Sequence, residues 1–300
     1  MIPIFHSDRF VPQLPEGHRF PISKYQLIRE QLLYEGTIQE NQLEESEPCE
    51  ESAILQVHSR EYWNNIKELT LSSRDVRRIG FPQSPELVNR SRRSCQGTFT
   101  AALAALKTGI GMNIAGGTHH AYTSHGEGFC ILNDIAIAAN HLMKHCEIKK
   151  ILVVDLDVHQ GNGTAKVFQE DARVFTFSMH GKDNYPLQKE ESDLDIPLKT
   201  GIRDDEYLSI LKDTLPRLIE TEQPEFVFFQ AGVDVLESDK LGKLSLSKTG
   251  CKTRDKIVLE TCHHANIPLA VAIGGGYSHR LYDTVTAHTN TFRAAMEVYE

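Results

Sequence analysis

The chain has 300 residues, a formal charge of −9, a pI near 5.9, 40% hydrophobic residues and 24% charged residues. That balance suits one large α/β domain or two smaller ones. It argues against broad electrostatic binding to nucleic acid or an anionic membrane, while leaving basic peptides open as substrates for an acidic surface. Residues 44–52 (EESEPCEES) read as a solvated acidic loop. Residues 73–85 (SRDVRRIGFPQSP) mix charge with Gly and Pro and read as a long surface loop. Ser84 and Pro85 then mark the cap and first turn of a helix running to Lys107.

Beyond that helix, strand-like and helix-like segments alternate. Strands are predicted at 111–115, 151–154, 173–177, 226–229 and 268–273. Helices are predicted at 134–145, 164–169, 204–220, 248–265 and 280–298. Apolar strands separated by helices predict a three-layer α/β/α fold with a mostly parallel central sheet. No repeat or Pro/Gly-rich linker divides the chain, so a single domain over residues 1–300 is expected. Apolar stretches are strand-sized, which predicts no transmembrane helix. The opening MIPIFHSDRF lacks the basic and apolar regions of a secretory signal. Six scattered cysteines without a C-x-x-C pair point to reduced thiols in a cytoplasm.

In open parallel sheets, ligands sit outside the carboxyl ends of the strands. Four predicted strands end in groups suited to chemistry: GGTHH with His119 and His120, DLDVH with Asp155, Asp157 and His159, QAGVD with Asp234, and GGGY with Tyr277. The second is the most informative. Asp155, Asp157 and His159 fall at every second position, which in an extended chain puts them on one face. Burying two carboxylates there is costly without a cation or hydrogen-bond partners. A divalent metal resolves that cost, with Asp and His as ligands. The other reading is a strand end carrying ordinary capping carboxylates.

Five blocks together resemble the zinc-dependent histone deacetylase family of the arginase/deacetylase fold: GGTHHA (116–121), GEGFCILNDIA (126–136), VDLDVHQGNGT (154–164), QAGVDVLESDKLGKLSLS (230–247) and GGGY (274–277). A weaker match, GHRFPISKY (17–25), is similar to the family's first-helix region. The wording of residues 230–247 is similar to class IV deacetylases and their bacterial relatives, which implies a bacterial, cytoplasmic member.

The resemblance implies zinc ligands at Asp157, His159 and Asp234, a set that would also suit Fe(II). It implies His120 as the main general base, supported by Asn162, and His119 as a charged partner supported by Asp155. Tyr277 would donate to the scissile carbonyl and its oxyanion. Gly128, Phe129 and Leu241 would line an acyl-lysine channel, with Tyr185 facing Phe129. Potassium would bind at Asp155, Asp157, His159 and Ser178, and a second such site would use Phe168, Asp171, Val174 and Tyr207.

The implied reaction is zinc-dependent hydrolysis of an acetyl or other acyl group from the ε-amino group of lysine, in a protein or peptide. An alternative within the fold is an amidohydrolase of acetylated polyamines or other small acetylated metabolites. A two-manganese arginase-type hydrolase would need further carboxylates, and VLESDKLG after Asp234 does not supply the D-x-x-D-P continuation of such sites. A non-catalytic acyl-lysine-binding module of the same fold should have lost a ligand, a His or the Tyr, and all are present. No direct partnership with nucleic acid or membrane is expected, and the oligomeric state is open.

Overall fold

The computed structural model describes Met1–Glu300. Its centre is one eight-stranded sheet, built from β1 (Ile4–His6), β2 (Leu43–Glu45), β3 (Ile110–Asn113), β4 (Ile151–Asp155), β5 (Val174–Gly181), β6 (Leu194–Leu198), β7 (Phe226–Gln230) and β8 (Leu269–Ala272). The strand order is β2-β1-β3-β8-β7-β4-β5-β6. Every pairing is parallel.

The central strands β3, β4, β7 and β8 are buried at every position, which is why they read as unbroken apolar runs rather than alternating ones. Flanking helices include Pro85–Thr108, Asp134–His145, Asp204–Glu222, Lys248–His264 and Leu281–Tyr299. The result is the three-layer α/β/α arrangement expected. A connected core of 70 residues runs from Ile2 to Ala295. No helix is long and apolar enough to cross a membrane.

Two expectations need correction. Residues 73–85 are not a loop throughout, because Ser73–Ile79 is helical. Ser72 accepts from the Asp75 amide at its start, and Gly80 ends it in a left-handed conformation at φ 84°. Both capping signals stand in the sequence. The acidic segment 44–52 is likewise only partly a loop. Its first residues lie in β2, paired with β1, and Glu51–Ile54 is a helical turn. Cys49 within it is fully buried.

β3, β8, β7 and β4 are four successive neighbours. Register places Asp155 beside Gln230, and Gln230 beside Ala272. The four strand ends carrying His, Asp and Tyr residues therefore open side by side along one edge of the sheet.

Candidate active site

β4 stops at Asp155, so Asp157 and His159 are not on a continuing strand. The carboxylates turn the chain. The Asp157 amide donates to Asp155 Oδ1 at 3.1 Å, and the His159 amide donates to Asp157 Oδ1 at 3.0 Å. Such local side-chain bonds replace the ladder that a strand would need. The Val158 amide donates across to Asp234 Oδ1 at 2.9 Å, which ties this loop to the one after β7.

His159 Nδ1 then lies 3.0 Å from Asp157 Oδ1 and 3.1 Å from Asp234 Oδ2. One ligand atom from each of the three residues falls within 4.8 Å of the others, and all three residues are buried. Burial pushes the Asp234 carboxyl up to about 7, and the charge of Asp157 pushes it the same way. A divalent cation would relieve that crowding. The surroundings fit one. Gly275 donates its amide to Asp157 Oδ2 at 2.9 Å. A Cβ on Gly275 would come within 2.1 Å of Asp234 Oδ2, and one on Gly232 within 2.0 Å of Asp157 Oδ2. Glycine is what lets the backbone close around these carboxylates. Two carboxylates and one imidazole also leave coordination positions free for reactants, unlike closed structural sites. None of the cysteines belongs to the cluster.

The His119–His120 pair approaches from the loop after β3. Gly116 and Gly117 both adopt positive φ, 77° and 75°. A Cβ on Gly117 would meet Gly274 Cα at 2.6 Å, so the GGTHH and GGGY turns pack backbone against backbone. His119 Nδ1 lies 2.7 Å from Asp155 Oδ2, and His120 Nδ1 lies 2.6 Å from Asn162 Oδ1. The Asn162 amide nitrogen donates to Tyr122 Oη at 3.0 Å and Glu127 Oε1 at 2.7 Å. Its oxygen must then accept from His120, so Nδ1 carries the hydrogen and Nε2 is left as the acceptor.

The two imidazoles differ in charge. Burial works against protonated His119, but the neighbouring charges of Asp155 and Asp157 outweigh it and hold the group at about 9. Burial pushes His120 well below the usual imidazole range, and the charges of His119 and His159 add to that effect. The pair thus combines a cation with a neutral base, which is the division expected from their Asp and Asn partners.

Tyr277 follows the triple glycine. Its amide donates to Asp239 Oδ2 at 2.6 Å, and the other oxygen of Asp239 accepts from the amides of Leu241 and Gly242. One carboxylate thereby fixes both Tyr277 and the Leu241 turn. Burial, then the charges of Asp234 and Asp157, push the phenol well above its ordinary range, so the hydroxyl remains a donor.

An outer cavity of about 280 Å³ is lined by His120, His159 and Tyr277 as well as Gly128, Phe129, Tyr185 and Leu241. Phe129 has φ 66°, unusual for a non-glycine residue, and packs against Phe20 and Phe81. Tyr185 borders the same cavity. Its ring stands 5.2 Å from His120, and its hydroxyl donates to Glu127. An inner cavity of about 40 Å³ shares His120, His159, Phe129 and Tyr277 and adds Tyr25 and Arg90.

For the monovalent-cation residues, Ser178 pairs with Asp155 across the β4–β5 ladder, and its hydroxyl lies 3.0 Å from His180 Nδ1. At the second such set, the Tyr207 hydroxyl is buried without a partner, while Asp171 is engaged by Arg173.

Several supporting residues escaped the sequence reading. Asp134, at the start of its helix, accepts from the Gly117 and Thr118 amides and so shapes the His loop. Glu127 orients Asn162. Both stand inside the block 126–136, where a carboxylate between glycines and one at a helix start were the available signals. Lys24 is fully buried. It donates to the Gly274 carbonyl at 2.8 Å and lies 5.6 Å from the Tyr277 ring centroid. Arg254 is also fully buried and paired with Asp255. It donates to the carbonyls of Leu156 at 3.1 Å and Gly232 at 2.6 Å, clamping the two loops that carry Asp157 and Asp234. No local pattern around Lys24 or Arg254 signals these distant contacts.

A family model described as the histone deacetylase domain matches residues 18–292. The chain is 44% identical over 296 residues to an uncharacterized protein of Picosynechococcus sp., covering 99% of this chain and 98% of that protein. It is 32% identical over 273 residues to histone deacetylase 2 of Arabidopsis thaliana, covering 87% of this chain and 70% of that one. The crystal structure of an HDAC homolog complexed with SAHA superposes with a TM-score of 0.86 at 26% identity, over 99% of this chain and 84% of that one. Sheet order, strand-end chemistry and these similarities agree: the chain belongs to the histone deacetylase family and has its arginase/deacetylase fold.

Proposed function

We propose that this chain is a zinc-dependent deacylase that hydrolyses the amide of Nε-acyl-lysine in proteins or peptides. The observation that carries this reading is the meeting of His159 Nδ1 with the carboxylates of Asp157 and Asp234 at a cavity also lined by His120 and Tyr277. Asp157, His159 and Asp234 would hold the metal. When bound, zinc supplies Lewis-acid polarisation of an acyl carbonyl and makes water a better nucleophile near neutral pH.

The protein's own groups then divide the remaining work. His120 Nε2 accepts the proton of the attacking water, with Asn162 fixing the tautomer. Charged His119, held by Asp155, stabilises negative charge nearby. Tyr277 donates its hydroxyl to the developing oxyanion. A protonated imidazole returns a proton to the departing amine, so that lysine and a carboxylate leave. A monovalent cation at Asp155, Asp157, His159 and Ser178 belongs to the same reading, supported by the adjacency of Ser178 to Asp155. The class IV assignment is supported by the wording of residues 237–247, and a reducing cytoplasm by six free cysteines.

Purified protein loaded with zinc is expected to release carboxylate from acetyl-lysine and longer acyl-lysine peptides. Turnover of acetylpolyamines alone would replace this reading with the small-metabolite one. Binding of acyl-lysine with no turnover of any substrate would replace it with the non-catalytic one.

A further inference from the structure

The outer cavity carries a charge pattern opposite to that of the protein as a whole. The chain has a net charge of −9, yet this cavity is lined by Arg19, Arg77 and Arg78 and by no Asp or Glu. None of the three arginines makes an ion pair, whereas eight other arginines in the protein do. Glu127 stands outside this lining, its Oε1 accepting from the Tyr185 hydroxyl and the Asn162 amide and its Oε2 3.8 Å from His125, and it is the carboxylate that the three arginines outnumber.

The backbone segments that carry the arginines are also fixed relative to the channel wall. The Gly128 amide donates to the Arg78 carbonyl at 3.1 Å, and the Phe129 amide to the Ile79 carbonyl at 2.7 Å. His18 Nε2 lies 2.8 Å from the Gly80 carbonyl, which brings the Arg19 segment to the same point. Arg77 and Arg78 sit in the last turn of a helix, where cations favour the dipole. That explanation does not extend to Arg19, which comes from a separate, non-helical segment.

We propose that the outer cavity selects acyl-lysine substrates with anionic groups beside the acylated residue. This rests on the deacylase reading above and specifies its substrate class. With the amide placed between His120 and Tyr277, the part of the substrate leaving the channel passes the three guanidinium groups. Carboxylates there would gain charge-assisted hydrogen bonds. They could come from acidic flanking side chains or from the free α-carboxylate of a single Nε-acyl-lysine. Cationic substrates, including acetylpolyamines and acyl-lysine in basic tails, would meet like charge. At ordinary ionic strength the screening length is only ~8 Å, so the local rim outweighs the distant negative surface.

The test compares three acetyl-lysine peptides of one length, flanked by Glu, by Ala or by Lys, together with free Nε-acetyl-lysine and an acetylpolyamine. With zinc-loaded protein at low salt, kcat/KM is expected to fall from acidic to neutral to basic peptide, by roughly tenfold between the extremes. The difference should shrink in high salt. Good turnover of free Nε-acetyl-lysine would assign the anion to the substrate's own carboxylate, and poor turnover to flanking residues. Arg19→Glu with Arg77→Glu alters two exposed side chains, and the doubly substituted protein should reverse the order of the Glu and Lys peptides. Affinities of the three peptides, measured by fluorescence anisotropy on the same zinc-loaded protein, give the charge order without turnover. Hydrolysis of all three peptides at equal kcat/KM, or a preference for the basic one, would overturn the proposal while leaving the deacylase reading intact. Binding in the predicted order with no hydrolysis would sustain it and remove that reading instead.

Discussion

His120→Ala is expected to lower kcat by ~10²–10⁴-fold, and His119→Ala by less. Hydrogen-bond partners set the two imidazoles apart. Asn162 presents its oxygen to His120 Nδ1, because its nitrogen is committed to Glu127 and Tyr122. His120 is thus a neutral imidazole with Nε2 free, while Asp155 and Asp157 hold His119 in its charged form. Only the first can take a proton from water. A larger loss in His119→Ala than in His120→Ala would reverse the assignment.

The same geometry sets a pH response. As pH falls, His120 becomes protonated and kcat/KM declines. Asn162→Asp places a carboxylate against Nδ1–H, favours the imidazolium and moves the acidic limb to higher pH. Glu127 complicates this single change, because it already sits 2.7 Å from the Asn162 amide nitrogen. The cleaner comparison is therefore made in Glu127→Gln. That variant alone should move the limb down by removing a nearby negative charge, and adding Asn162→Asp should move it back up. An acidic limb that ignores both changes would mean that His120 is not the titrating base.

Tyr277→Phe is expected to cost ~10²–10³ in kcat with little change in substrate affinity. The ring sits between the Phe129 and Phe20 side chains and beneath the Lys24 ammonium, contacts that phenylalanine retains. Only the hydroxyl is lost, and its proton is secured by burial and by the nearby carboxylates. A change in kcat of less than about threefold would remove Tyr277 from oxyanion stabilisation.

The candidate site was legible in the sequence because its groups lie within a short turn of the ends of buried strands, and most of those strands read as short apolar runs. What the sequence could not convey is which strands are neighbours. β3 and β8 pair across more than half the chain, and no local pattern encodes that crossover. The Asp155, Asp157 and His159 spacing suggested one face of a strand, whereas the structure gathers Asp157 and His159 with Asp234 by another route. The strand ends at Asp155, and side-chain to backbone bonds rather than strand alternation turn the next residues toward Asp234.

Elsewhere, tertiary context decided. The segment LEE of β2 has too little apolar character to read as a strand, and it becomes one through pairing with β1. In Ser73–Ile79 the charged residues masked a short helix whose Val76 and Ile79 lie three apart and which ends at a glycine. Arg254 and Lys24 lay beyond reach for a related reason. Arg254 reaches the carbonyls of Leu156 and Gly232, 98 and 22 residues away, and Lys24 that of Gly274, 250 residues away, and any residue can supply a carbonyl.

The central claim is that one metal held by Asp157, His159 and Asp234 is required for amide hydrolysis. It is tested most directly by stripping the protein with a chelator, titrating zinc back, and following bound metal per chain together with acetyl-lysine peptide hydrolysis. The expected result is inactive stripped protein, activity rising in proportion to zinc up to one ion per chain, and neither binding nor activity restored in folded Asp234→Ala. Undiminished hydrolysis by metal-free protein, or activity that appears only with two ions per chain, would contradict the account.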